Sequence, residues 1–252
     1  MGKPHCHGVL NFWLRLILMP EISVIIPALN EEKYIPHSLY GLAKQSFRDF
    51  ETIVVDGGSR DRTRSIVKKS GAKLIVSGRR GASGARNAGA AAAKGRILLF
   101  LDADTKPSYG LLKAYHGIFK NDGIVASTGP ICPLERASAR VKWGYRFVSV
   151  YFVKASILVH RPSIVGSNFA VRSDAFRRAG GFNEKFVTYE DWDLSSRLKK
   201  YGRIKYGNSA KVYTSVRRIT AWGISGFLIY YLVNILLYHT IKKPRRNYKR
   251  IR

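Results

Sequence analysis

Apolar residues fall in short runs along this chain. Each run is stopped by a polar or turn-forming residue, and amphipathic stretches lie between them. Ile22–Ile26 is a β-rich apolar run stopped by Pro27, which predicts a buried strand. Tyr34–Phe47 carries Ile35, Leu39, Leu42 and Ala43 at helical spacing. Glu51–Val55 predicts a second strand ending in Asp56-Gly57-Gly58-Ser59, with Ser59 placed to cap a helix that runs to Ser70. Lys73–Val76 predicts a third strand. Gly81–Gly89 is glycine-rich and opens an alanine-rich helix to Lys94, and Arg96–Leu101 predicts a fourth strand. Alternation of strand and helix predicts an α/β fold with a doubly wound, parallel sheet, in which ligands bind at the carboxyl ends of the strands.

After Gly123 the alternation loosens. Ile164–Val171 predicts a further strand, Glu190–Tyr201 a helix and Lys211–Ser215 another strand. Trp143–Val165 mixes aromatic and aliphatic residues with isolated Arg146, Lys154 and Arg161, and is a candidate interface segment. Ile219–Ile241 runs for 23 residues without Lys, Arg, Asp or Glu. That is long enough to cross a membrane. Basic residues flank it on both sides, which fits a re-entrant or surface-lying helix pinned to anionic lipid. A single crossing, or a buried helix at a homodimer contact, are the other readings. Leu10–Met19 is too short to span a bilayer, and Met19 offers a second start. The expected organisation is an N-terminal extension (1–19), an α/β domain (20–218), a membrane-associated hydrophobic helix (219–241) and a basic tail (242–252).

Charge changes the picture. The 252 residues carry 44 Lys+Arg against 16 Asp+Glu, a formal charge of +28. Arg136–Ser173 holds seven basic residues and no acid, and Leu194–Arg252 holds fifteen and no acid. Such a bias favours a polyanionic partner: nucleic acid, anionic lipid or a phosphorylated substrate. The basic residues are not grouped on a recognised nucleic-acid-binding element, which argues against nucleic acid. Cys6 and Cys132 make no disulfide framework, so a reducing compartment is the default.

Within this basic chain, acids gather at strand ends. The fourth strand ends in Asp102-Ala103-Asp104. Two carboxylates one residue apart both face a cleft if the strand breaks there, and they suit Mg²⁺ or Mn²⁺, which keeps waters and substrate phosphates in its shell. The bland alternative is a turn and helix cap before Pro107. Gly81–Gly89 is neither a dinucleotide fingerprint nor a P-loop. Its small residues serve either close ligand approach or tight helix–sheet packing, and Arg86 is placed to reach phosphate. Thr188–Asp193 sets acids at a helix start, which suits the helix dipole and also a general base. Glu190 and Asp191 point different ways on a helix, so one of them is expected to face the site.

Five segments occur in an order that resembles the inverting family 2 glycosyltransferases of the GT-A fold. They are Ile25–Glu32 (IIPALNEE), Val54–Ser59 (VVDGGS) with Asp61 and Thr63, Gly84–Gly89 (GARNAG), Leu101–Asp104 (LDAD) and Glu190–Asp193 (EDWD). The resemblance covers residues 20–218. It implies a nucleotide-sugar site lined by Pro27, Ala28, Asn30 and Glu31, with Gly58 and Ala103 beside it. It implies that Asp56 binds the base, typically uracil, and that Arg86 sits near the nucleotide or its phosphates. Asp102 would approach the ribose or the metal, Asp104 would ligate the metal, and Asp191 would be the catalytic base. Gly166, Ser167 and Asn168, with Glu190 and Trp192, would lie on the acceptor side. Arg217 and Arg218 would contact the diphosphate or a phosphorylated acceptor.

The expected activity is therefore metal-dependent sugar transfer, with inversion, from a nucleotide-sugar donor (a UDP-sugar in preference to a GDP-sugar) to an acceptor hydroxyl or lipid phosphate. The acceptor expected from the membrane features is lipid-linked or a glycan, met at the cytoplasmic face of a membrane. A nucleotidyltransferase of similar fold and a basic polyanion-binding scaffold are the alternatives. The Pro27–Glu32 loop lacks the Gly- and Arg/Lys-rich character of the former, and the retained acids argue against the latter.

Overall fold

Strand β1 (Ile22–Ala28) is buried on both faces. Val24 and Ile26 enter one apolar cluster, while Ile25 enters another on the opposite side of the sheet. The same division separates Ile97, Leu99 and Leu101 from Leu98 and Phe100 in β4 (Ile97–Leu101). A strand covered on both faces needs apolar residues at every position, which is why these runs are continuous. In a computed structural model of the chain, the structure describes residues 19–78, 81–186, 188–221, 223 and 226.

The main sheet has the order β3-β2-β1-β4-β8-β6-β9, with β2 (Phe50–Asp56), β3 (Lys73–Val76), β6 (Ile124–Thr128), β8 (Asn168–Arg172) and β9 (Arg203–Tyr206). All neighbours run parallel except β8, which is antiparallel to both β4 and β6. Helices cover it: α1 (Ile35–Ala43), α2 (Thr63–Lys69), α3 (Gly81–Ala92), α4 (Leu111–Phe119), α7 (Ser173–Arg178) and α8 (Glu190–Leu198). This is the expected mostly parallel α/β architecture. A second sheet of order β5-β10-β7 joins Thr105–Pro107, Val212–Thr214 and Ile131–Pro133.

Several expectations are corrected. Ser59 caps no helix: its hydroxyl accepts from Asn30 N at 2.8 Å. Helix α2 starts at Thr63, and the turn before it is held by Asp61, which accepts from Thr63 N at 3.0 Å. The glycine-rich segment is itself helix α3. A Cβ on Gly89 would collide with the Ile25 side chain, so that glycine serves helix–sheet packing. The strand expected at Ile164–Val171 is confined to Asn168–Arg172. Trp143–Val165 is largely helical: α5 (Ala139–Arg146), a π-helical turn (Phe147–Phe152) and α6 (Val153–Leu158). Among the described residues no helix is long and apolar enough to cross a membrane. The expected extension (1–19), apart from Met19, and the expected tail (242–252) lie outside the described residues, as does most of the hydrophobic segment 219–241.

Candidate active site

Parallel strands β1, β2 and β4 bring their carboxyl ends to one edge, where Ala28 pairs with Asp56. Because β8 runs the other way, its first residue lies there too, with Asn168 opposite Leu101. Chain reversal thus sets Gly166–Asn168 beside Asp102–Asp104.

The loops after β1 and β2 are stitched into one wall. Asn30, at φ 54°, donates its N–H to Ser59 and accepts from Arg60 N at 2.7 Å. Glu31 N donates to Thr63 Oγ1 at 2.8 Å. Asp56 is fully buried and accepts from Gly58 N, Ser59 N and Arg64 Nε, the last at 2.6 Å. Burial alone would raise its pKa, but hydrogen bonds from Ser59, Arg64 and Gly58 outweigh that and hold it below the usual value.

Arg86, buried on α3, joins two distant elements. One terminal nitrogen bonds Asp102 Oδ1 and the other Glu190 Oε1, both at 2.8 Å. Its guanidinium also lies 5.4 Å from the Phe182 ring. Burial opposes its charge, and Asp102, Glu190 and Asp191 together reverse that and raise its pKa. Asp191 accepts from Gly166 N at 3.0 Å and from Trp192 N at 2.9 Å. Burial, with Glu190 beside it, pushes its pKa up to about 7. Both acids of the Glu190-Asp191 pair therefore face the same point, not one as the helical spacing predicts. They occupy the first turn of α8, which follows Tyr189 at a left-handed φ of 66°.

Arg217 makes a second junction. It bonds Glu31 with both terminal nitrogens, at 2.9 and 2.7 Å, and reaches Asp104 Oδ2 at 3.0 Å. The Tyr34 ring lies 4.8 Å below it. Burial, with the charge of Asp102 next, pushes the Asp104 pKa up to about 6, against the opposing pull of Arg217 and Arg218. The segment leading to Arg217 is pinned by Glu135, which accepts from Ser215 Oγ at 2.7 Å and Val216 N at 2.9 Å.

Glu31, Asp102, Asp104, Glu190 and Asp191 thus close on Arg86 and Arg217. Asn168 lies in the core rather than in the cleft. It is fully buried, its amide bonded to Tyr115 Oη at 2.7 Å and Ala210 O at 2.8 Å. Ala103 is buried as well, its carbonyl accepting from Ser38 Oγ. Trp192 stacks on Phe152 at 6.0 Å. Sequence reasoning missed Arg64, Tyr34 and Glu135. Arg64 was findable, since it opens the helix after Asp56; the other two depend on tertiary approach.

Five carboxylates around two arginines leave buried negative charge that a hard cation would meet. Asp102 and Asp104 supply the oxygen donors, so they fit a divalent ion. Among the described residues no group of three or more His, Cys, Asp or Glu could hold a metal by itself. Substrate phosphates and water would complete the shell, as is usual for Mg²⁺.

A family profile described as Glycosyl transferase family 2 matches residues 23–180. A PGL/p-HBAD biosynthesis glycosyltransferase of Mycobacterium bovis (strain BCG / Pasteur 1173P2) is 29% identical over 188 residues, covering 71% of this chain and 69% of the relative. Among solved structures, S. aureus TarS 1-349 in complex with UDP-GlcNAc superposes with a TM-score of 0.64 at 21% identity, covering 86% of this chain and 66% of that one. The chain spans only 40% of the longer TarS chain. The mannosyltransferase PcManGT from Pyrobaculum calidifontis, in complex with GDP-Man and Mn²⁺, superposes with a TM-score of 0.66 at 20% identity, covering 93% and 70%. At these identities the structural likeness establishes the fold.

Proposed function

The chain belongs to glycosyl transferase family 2, and from that membership we propose that it moves a sugar from a nucleotide-sugar donor to an acceptor with inversion at the anomeric carbon. The observation that carries this reading is Arg86. It ties the Asp102 strand end to the start of helix α8, so the metal-binding pair and the candidate base Asp191 face one cleft.

Asp191 takes the proton from the acceptor hydroxyl. The freed oxygen attacks the anomeric carbon in line, and the bonding pair leaves with the nucleoside diphosphate. A carboxylate with a pKa near 7 suits a general base at neutral pH. The wall formed by Pro27–Glu31 and Asp56–Ser59 holds the nucleotide. A uridine donor is favoured by the resemblance of the Asp56-Gly57-Gly58-Ser59 segment to the family's base-binding segment. Asp102 and Asp104 would hold Mg²⁺ or Mn²⁺, which would neutralise charge on the diphosphate. Complexes of structural neighbours with UDP-GlcNAc, and with GDP-Man and Mn²⁺, support the donor class and the metal. Residues 20–218 form the catalytic unit, and the acceptor is a hydroxyl or a lipid phosphate of a lipid-linked or glycan substrate met at the cytoplasmic membrane face.

Transfer is measured with UDP-sugars and GDP-sugars, with and without Mn²⁺. Asp104→Ala and Asp191→Ala should each abolish it without lowering the melting temperature by more than a few degrees. Full activity in either variant overturns the role given to that residue.

A further inference from the structure

The helical run from Ala139 to Leu158 buries Val153 and packs Tyr145 on the core, yet turns most of its large apolar side chains outward. Its buried side carries Ser149, Val153 and Ser156. Its solvent side carries Trp143 (64% exposed), Phe147 (52%), Tyr151 (47%) and Leu158 (79%). A helix of a water-soluble domain does the opposite, burying its apolar stripe. The serines are fitted to the interior. Ser149 Oγ donates to Tyr145 O at 2.7 Å, and Ser156 Oγ accepts from Ser163 N at 2.9 Å. The π-helical turn is held by Tyr206, whose hydroxyl donates to Ser149 O at 2.9 Å. The outward apolar face is thus fixed by the fold.

Trp143, Phe147 and Tyr151, spaced four apart, form one cluster in which every pair of ring centroids lies 6.3 to 6.5 Å apart. Arg146 lies 5.9 Å from the Tyr151 ring, Arg136, Arg140, Lys142, Lys154 and Arg161 are exposed along the same stretch of chain, and no acid occurs between Arg136 and Ser173. Trp and Tyr partition to the level of lipid headgroups, and Lys and Arg around an apolar face add attraction to anionic lipid. The ridge also leads to the site, since its Phe152 stacks on Trp192 next to Asp191.

We propose that the Trp143–Phe147–Tyr151 ridge is a docking surface for an anionic lipid bilayer, laid on the headgroups so that an acceptor embedded there reaches the Asp191 cleft along Phe152 and Trp192. A second copy of the chain would set this basic, acid-free stretch against its own like charge, which disfavours self-association through this face. The inference rests on the proposed function only for the acceptor; the docking itself is independent of hydrolysis or transfer of the donor.

The test uses the full chain with vesicles of phosphatidylcholine and phosphatidylglycerol in equal parts, carrying brominated acyl chains that quench tryptophan. The chain has four tryptophans, so the Trp143 signal is read as the difference between wild type and Trp143→Phe. Docking predicts that this substitution removes a measurable share of the quenching while binding persists. Replacing Trp143, Phe147 and Tyr151 together by Ser should weaken vesicle partition by about tenfold or more. Its melting temperature and its binding of UDP, measured in detergent solution, should match wild type. Quenching unchanged by Trp143→Phe overturns the proposal and places contact elsewhere in the chain. So does equal binding to pure phosphatidylcholine. Lipid-independent cross-linking between copies of Trp143→Cys assigns the face to self-association and also overturns it. Loss of UDP binding in Asp104→Ala or Asp191→Ala leaves these readouts unmoved, so the two readings fail separately.

Discussion

Arg217 grips Glu31 with both ends of its guanidinium, at 2.9 and 2.7 Å, across 186 residues of sequence. The pair closes the domain on itself. It carries the segment after β10 back to the loop after β1, and its third contact falls on Asp104. One arginine therefore sets both the nucleotide wall and one of the two proposed metal ligands.

Removing that arginine leaves two carboxylates without their cation. Arg217→Met is expected to cost about 3 kcal/mol of stability, as breaking a largely buried ion pair does. Urea unfolding measures it. Combined with Glu31→Gln, the loss should fall short of the sum of the single losses by about 1 kcal/mol or more. Strict additivity in that cycle would show that the pair is not coupled.

Asp191 gives the pH profile its acid limb. Its pKa is raised to about 7, so the carboxylate is protonated below that pH and cannot accept the acceptor's proton. The value of kcat/KM should rise with pH through about 7 and then level off. The same shift affects stability with a definite sign. Between the ordinary carboxylate value and 7 the folded state holds a proton that the unfolded chain has released, so Asp191 makes stability fall as pH rises through that window. Asp191→Asn should abolish transfer and remove the pH dependence of stability in that window. A kcat/KM that stays flat from acid to neutral pH would remove Asp191 from the role of base.

Metal binding should compete with protons at the other acid pair. Asp104, pushed up to about 6, must ionise to hold a cation. Mn²⁺ together with UDP is expected to raise the melting temperature above pH 6 and to lose that effect below it. Asp104→Asn should abolish the metal-dependent part at every pH. Thermal unfolding with Mn²⁺, UDP, both or neither checks this, and a metal shift that survives Asp104→Asn would relocate the metal.

Asn168 separates an architectural role from an acceptor role. Its side chain is shut in between Tyr115 and Ala210. Asn168→Ala strands a buried hydroxyl and a buried carbonyl, and should lower stability by about 2–4 kcal/mol. The acceptor KM of the folded fraction should stay unchanged. A raised KM with native stability would place Asn168 in the cleft after all.

Legibility in the sequence followed burial. Strands β1, β2 and β4 were readable because burial on both faces demands continuous apolar runs. Strand β9 was not: Arg203 and Lys205 alternate outward at the sheet edge, and a basic Arg-Ile-Lys-Tyr run has no apolar signal. Strand β6 ends in Ala-Ser-Thr, whose Ser127 and Thr128 are buried all the same. The acids themselves were visible at Asp102, Asp104 and Glu190-Asp191. Their pairing was not, because Arg86 to Glu190 and Glu31 to Arg217 are contacts of the folded chain, 104 and 186 residues apart. Helical spacing also set Glu190 and Asp191 apart, whereas a long side chain lets Glu190 bond Arg86 while the charge of Asp191 acts on the same guanidinium.

Gly166 offers the sharpest test of the cleft, because it touches both halves. A Cβ there would stand 3.2 Å from Arg86 Nη2 and 3.5 Å from Asp191 Oδ2. Arg86 cannot swing aside freely, as its two terminal nitrogens are held by Asp102 and Glu190. Gly166→Ala must therefore displace the guanidinium by a few tenths of an ångström, or open the Gly166–Asp191 hydrogen bond. Small misplacements of positioning groups are costly to rate, so kcat/KM should fall by about 10- to 100-fold. The melting temperature should move little, because the added methyl, though buried, removes no core packing. Steady-state kinetics beside a thermal melt measures the contrast. If Gly166→Ala melted early and kept its kcat/KM once folded, the contact among Gly166, Arg86 and Asp191 would be architecture, and the reacting groups would have to be sought away from Asp191.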